Sequence, residues 1–151
     1  MSKHNLLIVF IVLGFLFSSC EKNQFKKFVK MDDLVWSKNN VVVLPYECET
    51  DTIKSTIFLA FRYAQGFPLQ TMKVGFEMKS PDGEVIDIPV TFDVKTSTGE
   101  YLGDGSGDIW DLEIPIQKDF KPIKGTYQFS IKQTSQIEKV PMVMEVGLVI
   151  K

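Results

Sequence analysis

Histidine is almost missing from this chain: His4 is the only one among 151 residues, and it precedes a short apolar run at the N-terminus. Once that run is removed, no imidazole remains. Ser-His-Asp and Cys-His nucleophile systems, most catalytic zinc sites and most acid-base chemistry near pH 7 then lack their usual residue. Carboxylate-only chemistry of the glycosidase kind survives this exclusion, but spacing alone does not pair two acids across a cleft. Arginine is equally scarce, with Arg62 alone, and no basic cluster is placed to follow a phosphate backbone, so nucleic acid is not an expected partner. Long hydrophobic runs are absent too. The twelve positions from Leu6 to Phe17 would reach only about 18 Å as a helix, against roughly 30 Å of bilayer hydrocarbon.

What the N-terminus does contain is a secretion signal. Lys3 and His4 precede the apolar run, and Ser18, Ser19 and Cys20 follow it, the tripartite layout of a bacterial lipoprotein leader. Phe17 stands where such leaders usually carry leucine, with Leu16 beside it. Residues 1–19 are expected to be cleaved and Cys20 to be acylated, with palmitate among its fatty acids. Each buried methylene adds about 0.8 kcal/mol, so several chains hold a protein to a membrane lastingly. Plain secretion is the alternative. Without the leader, 132 residues remain, with sixteen basic against nineteen acidic side chains and a formal charge of −3. That length suits one domain with a proper core. Acylated Cys20 would leave Cys48 without an intrachain partner; a buried thiol is expected, with an intermolecular disulfide or a reactive thiol still open.

Residues 20–33 are expected to form the acylated N-terminus and a tether, either as a brief helical turn or as an extended arm around Phe25, Phe28 and Val29. Residues 34–151 are expected to form the domain. Its signals are those of strands. Val41 to Leu44 is a β-branched run before Pro45, which places it on an edge or a bulge. Ser55 to Tyr63 is apolar on both faces and predicts a central, doubly covered strand. Residues 72–95 alternate on either side of Ser80, Pro81, Asp82 and Gly83 and predict a hairpin. Ile109 to Ile116, Thr126 to Gln133, and the closing run of Met144, Val146, Leu148 and Ile150 predict three more strands. About seven to eight short strands without an amphipathic helix imply an all-β antiparallel sandwich, Ig-like or jelly-roll-like, with a small barrel as the alternative.

The most unusual local composition is Gly103, Asp104, Gly105, Ser106, Gly107 and Asp108, flanked by Tyr101 and Trp110. Acids between glycines can wrap calcium, but the spacing does not match an EF-hand loop, and no metal or cofactor is expected. A tight structural turn is the first reading. Contact with a partner or ligand through Tyr101, Asp104, Asp108 and Trp110 is the functional one, since aromatic side chains beside polar loops anchor proteins or stack on sugars. Core burial competes for both aromatics and for Trp36, and a structural ion pair is expected for Arg62.

The leader with its cysteine, the phrases YLGDGSGDIW and GTYQFSIKQ, and the ending MEVGLVIK together resemble the gliding motility lipoprotein GldH family of Bacteroidetes. The short Thr134 to Val140 link departs from the longer charged hairpin expected of that family. The resemblance implies a lipoprotein of the cell envelope, at the outer membrane, working with proteins of the gliding and linked secretion machinery. It brings no catalytic residues. A non-catalytic role through protein contacts is the leading expectation, and a glycan-binding sandwich is the alternative.

Overall fold

The computed structural model of the chain describes residues 25–49 and 54–151, so the expected leader and the expected acylation site, Cys20, lie outside the described residues. The strands are β1 (Phe25–Lys30), β2 (Val35–Ser37), β3 (Val42–Cys48), β4 (Ser55–Ala64), β5 (Thr71–Lys79), β6 (Val85–Asp93), β7 (Asp104–Ser106), β8 (Ile109–Phe120), β9 (Gly125–Gln133), β10 (Lys139–Pro141) and β11 (Val143–Ile150). One sheet has the order β1-β11-β4-β8-β7 and the other β3-β9-β5-β6, while β10 and β2 form a small pair. Every pairing is antiparallel. The two sheets pack as an open sandwich, in agreement with the expected class.

Period-two alternation builds the core. Ile57, Leu59, Phe61 and Tyr63 of β4 are buried in one cluster with Leu44 of β3, Phe76 of β5 and Phe129 and Ile131 of β9. The Phe61 ring meets Phe92 edge-on at 5.3 Å across the sheets. Pro45 sits on β3, an edge strand paired only with β9, where its missing N–H costs no second ladder. Residues 71–93 are the expected hairpin, and Gly83 takes φ +90° in its turn. Cys48 ends β3 as a buried thiol, and burial first, then that thiol, push the neighbouring Tyr46 phenol up to about 12.

Four expectations need correction. The sheet begins at Phe25 rather than at residue 34, because Phe25 to Lys30 pair along β11 as an extended edge strand. Only one face of β4 meets a second layer. On its other face Thr56, Phe58, Arg62 and Ala64 are half-buried and Ala60 is 3 % exposed, with Lys151 Nζ 5.4 Å from the Phe58 ring centroid. Lys139 and Val140, read as the end of the Thr134 to Val140 link, pair with β2 together with Pro141. The link itself is held by buried Gln133, whose amide donates to Ile137 O and Glu138 O and accepts from Ser135. Finally, the alternation of β11 breaks at Met144, where the register against β4 shifts between Val143 and Glu145. Met142, at φ +62°, precedes that irregularity.

Candidate functional site

The glycine-rich phrase folds into a tight hairpin of β7 and β8 at one end of the sandwich. Asp104 pairs with Asp111, Gly105 with Trp110 and Ser106 with Ile109, leaving Gly107 and Asp108 as the turn. The glycines have steric reasons. At Gly103, φ is +102° and a Cβ would stand 2.3 Å from Asp111 O; at Gly105 a Cβ would stand 2.9 Å from the Trp110 indole nitrogen. The chain therefore comes close enough for Trp110 to lie over Gly105.

Trp110 and Tyr101 are half-buried and packed against the core. Their ring centroids are 4.3 Å apart with planes at 34°, and Tyr63 stacks on Trp110 at 5.9 Å. The Tyr101 hydroxyl accepts from Gly66 N–H at 2.8 Å, and Lys95 Nζ stands 5.1 Å from its ring. The Tyr63 hydroxyl lies at hydrogen-bond distance from Val94 O and Leu102 O. Burial pushes the Tyr63 phenol up to about 12, against the lowering effect of the Leu102 bond. Gln65 N–H donates to Asp108 O at 2.8 Å. These contacts fasten the hairpin to the β4–β5 connection, so the two rings form a tilted wedge rather than a flat platform of the kind sugars stack on.

Asp104 and Asp108 are exposed on this hairpin. Asp104 borders a charged row across the outer face of the larger sheet. Arg62 Nε donates to Asp111 Oδ1 at 2.7 Å, Nη2 to Asp111 Oδ2 at 3.0 Å and Nη1 to Glu145 Oε2 at 3.1 Å. The cross-strand register adds Lys30 opposite Glu145 and Asp104 opposite Asp111, so charges of alternating sign end in two adjacent acids. The hydrogen bonds to Asp111 are the largest cause of a raised Arg62 pKa. A groove of about 230 Å³ runs beside this row, lined by Lys26, Phe28, Ala60, Arg62, Asp111 and Glu113 among others.

Both oxygens of Asp111 serve Arg62. No group of three potential metal ligands converges among the described residues, and none of their buried side-chain nitrogens or oxygens lacks a partner. The arrangement suits recognition by a tied-down acidic hairpin with a mixed-charge sheet face beside it. Trp36 is fully buried instead, with its indole N–H on Asn40 O.

The GldH lipoprotein family model matches residues 23–150. The chain belongs to the GldH lipoprotein family. A protein of Christiangramia forsetii described as a gliding motility lipoprotein GldH homolog is 29 % identical over 133 residues, covering 84 % of this chain and 78 % of that one. Membership makes the chain a gliding-motility-associated, membrane-anchored lipoprotein of the envelope. Among solved structures, the VP2 subviral particle of infectious bursal disease virus aligns with a TM-score of 0.38 at 11 % identity, covering 87 % of this chain and 34 % of that one. A Phanerochaete chrysosporium exo-beta-1,3-galactanase with galactose aligns with a TM-score of 0.35 at 6 % identity, covering 85 % and 30 %. The chain thus spans about a third of either, and at such scores neither likeness bears on function.

Of the expected contact residues, the structure brings Tyr101, Asp104, Asp108 and Trp110 together on one hairpin and its flank. Sequence reading missed the charged row. Lys30, Arg62, Asp104, Asp111 and Glu145 come from five strands, and only the observed register aligns them.

Proposed function

We propose that the protein is a non-catalytic subunit of the envelope machinery for gliding and its linked secretion, acylated at Cys20 in the outer membrane and acting through protein contacts made by the β7–β8 hairpin. The observation that carries this reading is the family match, which starts at residue 23, three positions after Cys20, and runs to residue 150. The hairpin supports the contact part. It is exposed and acidic at its tip, and it is tied to the core by Tyr63, Tyr101 and Trp110, so little conformational freedom is lost when a partner binds.

In-cell crosslinking of the tagged, lipidated protein tests it. Defined envelope-machinery proteins should be recovered from positions 104 and 108 and not from the opposite end. Recovery of no specific protein, together with saccharide binding that Trp110→Ala abolishes, would replace this reading with the glycan-binding one. Separately, Cys20→Ser should release the protein from the membrane fraction while leaving its melting temperature unchanged. A Cys20→Ser variant that stays membrane-bound would refute the anchor.

A further inference from the structure

The two ends of the sandwich differ in their distance from the lipid anchor. Five residue steps separate Cys20 from Phe25, which at full extension span at most about 18 Å. Phe25 opposes Ile150, Ile150 opposes Ile57, and Ser55 opposes Phe120, so the start of β1 lies at the end where β8 runs into the 121–124 loop. A chain of rings joins the two places: Phe25 meets Tyr46 at 5.1 Å, Tyr46 meets Tyr127 at 6.0 Å, and Tyr127 meets Phe120 at 5.5 Å. The β7–β8 hairpin lies at the other end, where Ala64 opposes Ile109. The length of β4 separates the ends by about 30 Å.

The 121–124 loop reads Lys121, Pro122, Ile123, Lys124. Ile123 is 43 % exposed, and both lysines are exposed. The loop is held in shape: Pro122 is buried, Ile123 N–H donates to the Tyr127 hydroxyl at 2.9 Å, and Gly125 at φ +133° lets the Pro81 ring close in where a Cβ would stand 2.6 Å away. An apolar side chain between two lysines, fixed on the rim nearest the anchor, has the character of an interfacial contact: the alkyl group enters the head-group boundary and the ammonium groups stay in water. The rim also carries Glu47, Glu49, Asp82, Glu84 and Asp119, so its charge is mixed and anionic lipid is not what holds it.

We infer that the lipidated protein stands on the bilayer on its Lys121–Lys124 loop, with Ile123 at the lipid interface and the Gly103–Asp108 hairpin directed away from the membrane. The inference rests on acylation of Cys20. One exposed isoleucine binds a bilayer weakly on its own, but a tether this short raises the local concentration of lipid enough to make a weak contact persistent.

The test uses the full-length chain, processed and acylated in a bacterial host, and reconstituted into phosphatidylethanolamine–phosphatidylglycerol vesicles. An environment-sensitive dye is placed at Ile123→Cys in one preparation and at Asp108→Cys in another, and wild-type melting is confirmed for both. Spin-labelled lipid should quench the dye at 123 at least about threefold more than the dye at 108, with little change as the phosphatidylglycerol fraction varies. Equal quenching at both positions, or stronger quenching at 108, overturns the orientation. Failure of the protein to float with the vesicles overturns the acylation it rests on, an outcome distinct from floating with equal quenching.

Discussion

Gly147→Ala should peel β1 from the sheet without dismantling the sandwich. Gly147 opposes Phe28 on β1, and its obstacle is purely spatial, since its φ lies outside the positive range that favours glycine. A Cβ there would stand 2.1 Å from Lys27 O and 2.8 Å from both Phe28 Cα and Cδ1. Ordinary contact requires more than 3 Å, so the β1 backbone must retreat by about an ångström, beyond what its ladder to β11 tolerates. Being an edge strand, β1 can move away, which limits the cost to what β1 contributes. Phe25 and Val29 are half-buried against the core, and at about 1.5–3 kcal/mol for each such side chain fully buried they supply roughly 2–3 kcal/mol. The lower chain entropy of unfolded alanine returns about 0.4–1 kcal/mol. The net loss is about 2 kcal/mol, and at about 4 °C per kcal/mol for a domain of this size the melting temperature should fall by about 8 °C. Calorimetry gives that number, and hydrogen exchange locates it: the amides of residues 25–30 should lose protection while those of β4 and β9 keep theirs. A variant that melts like the wild type with β1 still protected would refute the reasoning. Release of β1 would also lengthen the leash to Cys20 by about 20 Å, so lipid quenching at residue 123 should drop in the same variant.

Arg62→Met should cost about 1–2 kcal/mol, because the ion pair is bidentate and networked but lies in partly exposed surroundings that screen it. A double-mutant cycle with Asp111→Asn should show positive coupling that shrinks in 1 M salt; additivity would mean the pair contributes nothing. Tyr46 and Tyr63 have folded pKa values raised from 10.0 to about 12. Below pH 10 both states hold the phenol proton and stability is full; between pH 10 and 12 the unfolded chain ionises first, so stability falls as pH rises. Tyr63→Phe should shallow that alkaline loss in urea titrations, and an unchanged slope would remove Tyr63 as a cause. Gly103→Ala combines a φ of +102° with a backbone collision, so it should destabilise by about 2 kcal/mol or more. It should also reduce crosslinking from position 108, whereas retained partner yield would separate the hairpin's shape from recognition.

Periodicity revealed those parts of the fold where one side of a strand is buried and the other wet. Residues 71–93 and 125–133 alternate cleanly, and the structure uses them as the alternation implies. It fails where the backbone leaves the regular ladder. The bulge at Met144 shifts the register in a segment whose pattern still looks regular, because Val143 and Val146 both turn inward around it. The three-residue strands β2, β7 and β10 are too short to show a period. Strand β1 resembles a tether because it is an edge strand with three lysines, a composition that protects an open edge and dilutes the strand signal.

The candidate site divides in the same way. The hairpin is local, so its glycines, acids and flanking rings could be noticed together, and Tyr101 and Trp110 could be weighed between core and surface before their positions were known. The charged row is not local. Arg62 could be expected to find an acid, but Asp111 and Glu145 become its partners only through the pairing of β8 and β11 with β4, at sequence separations of 49 and 83 residues. The role proposed for the Lys121–Lys124 loop is hidden for the same reason. Lys-Pro-Ile-Lys is unremarkable as a sequence, and it becomes informative only when antiparallel register sets it beside the strand that leads back to Cys20. Position relative to the membrane is thus a property of topology plus tether length: with Cys20 acylated as proposed, only four residues stand between it and Phe25, few enough for the fold to dictate which end faces the lipid.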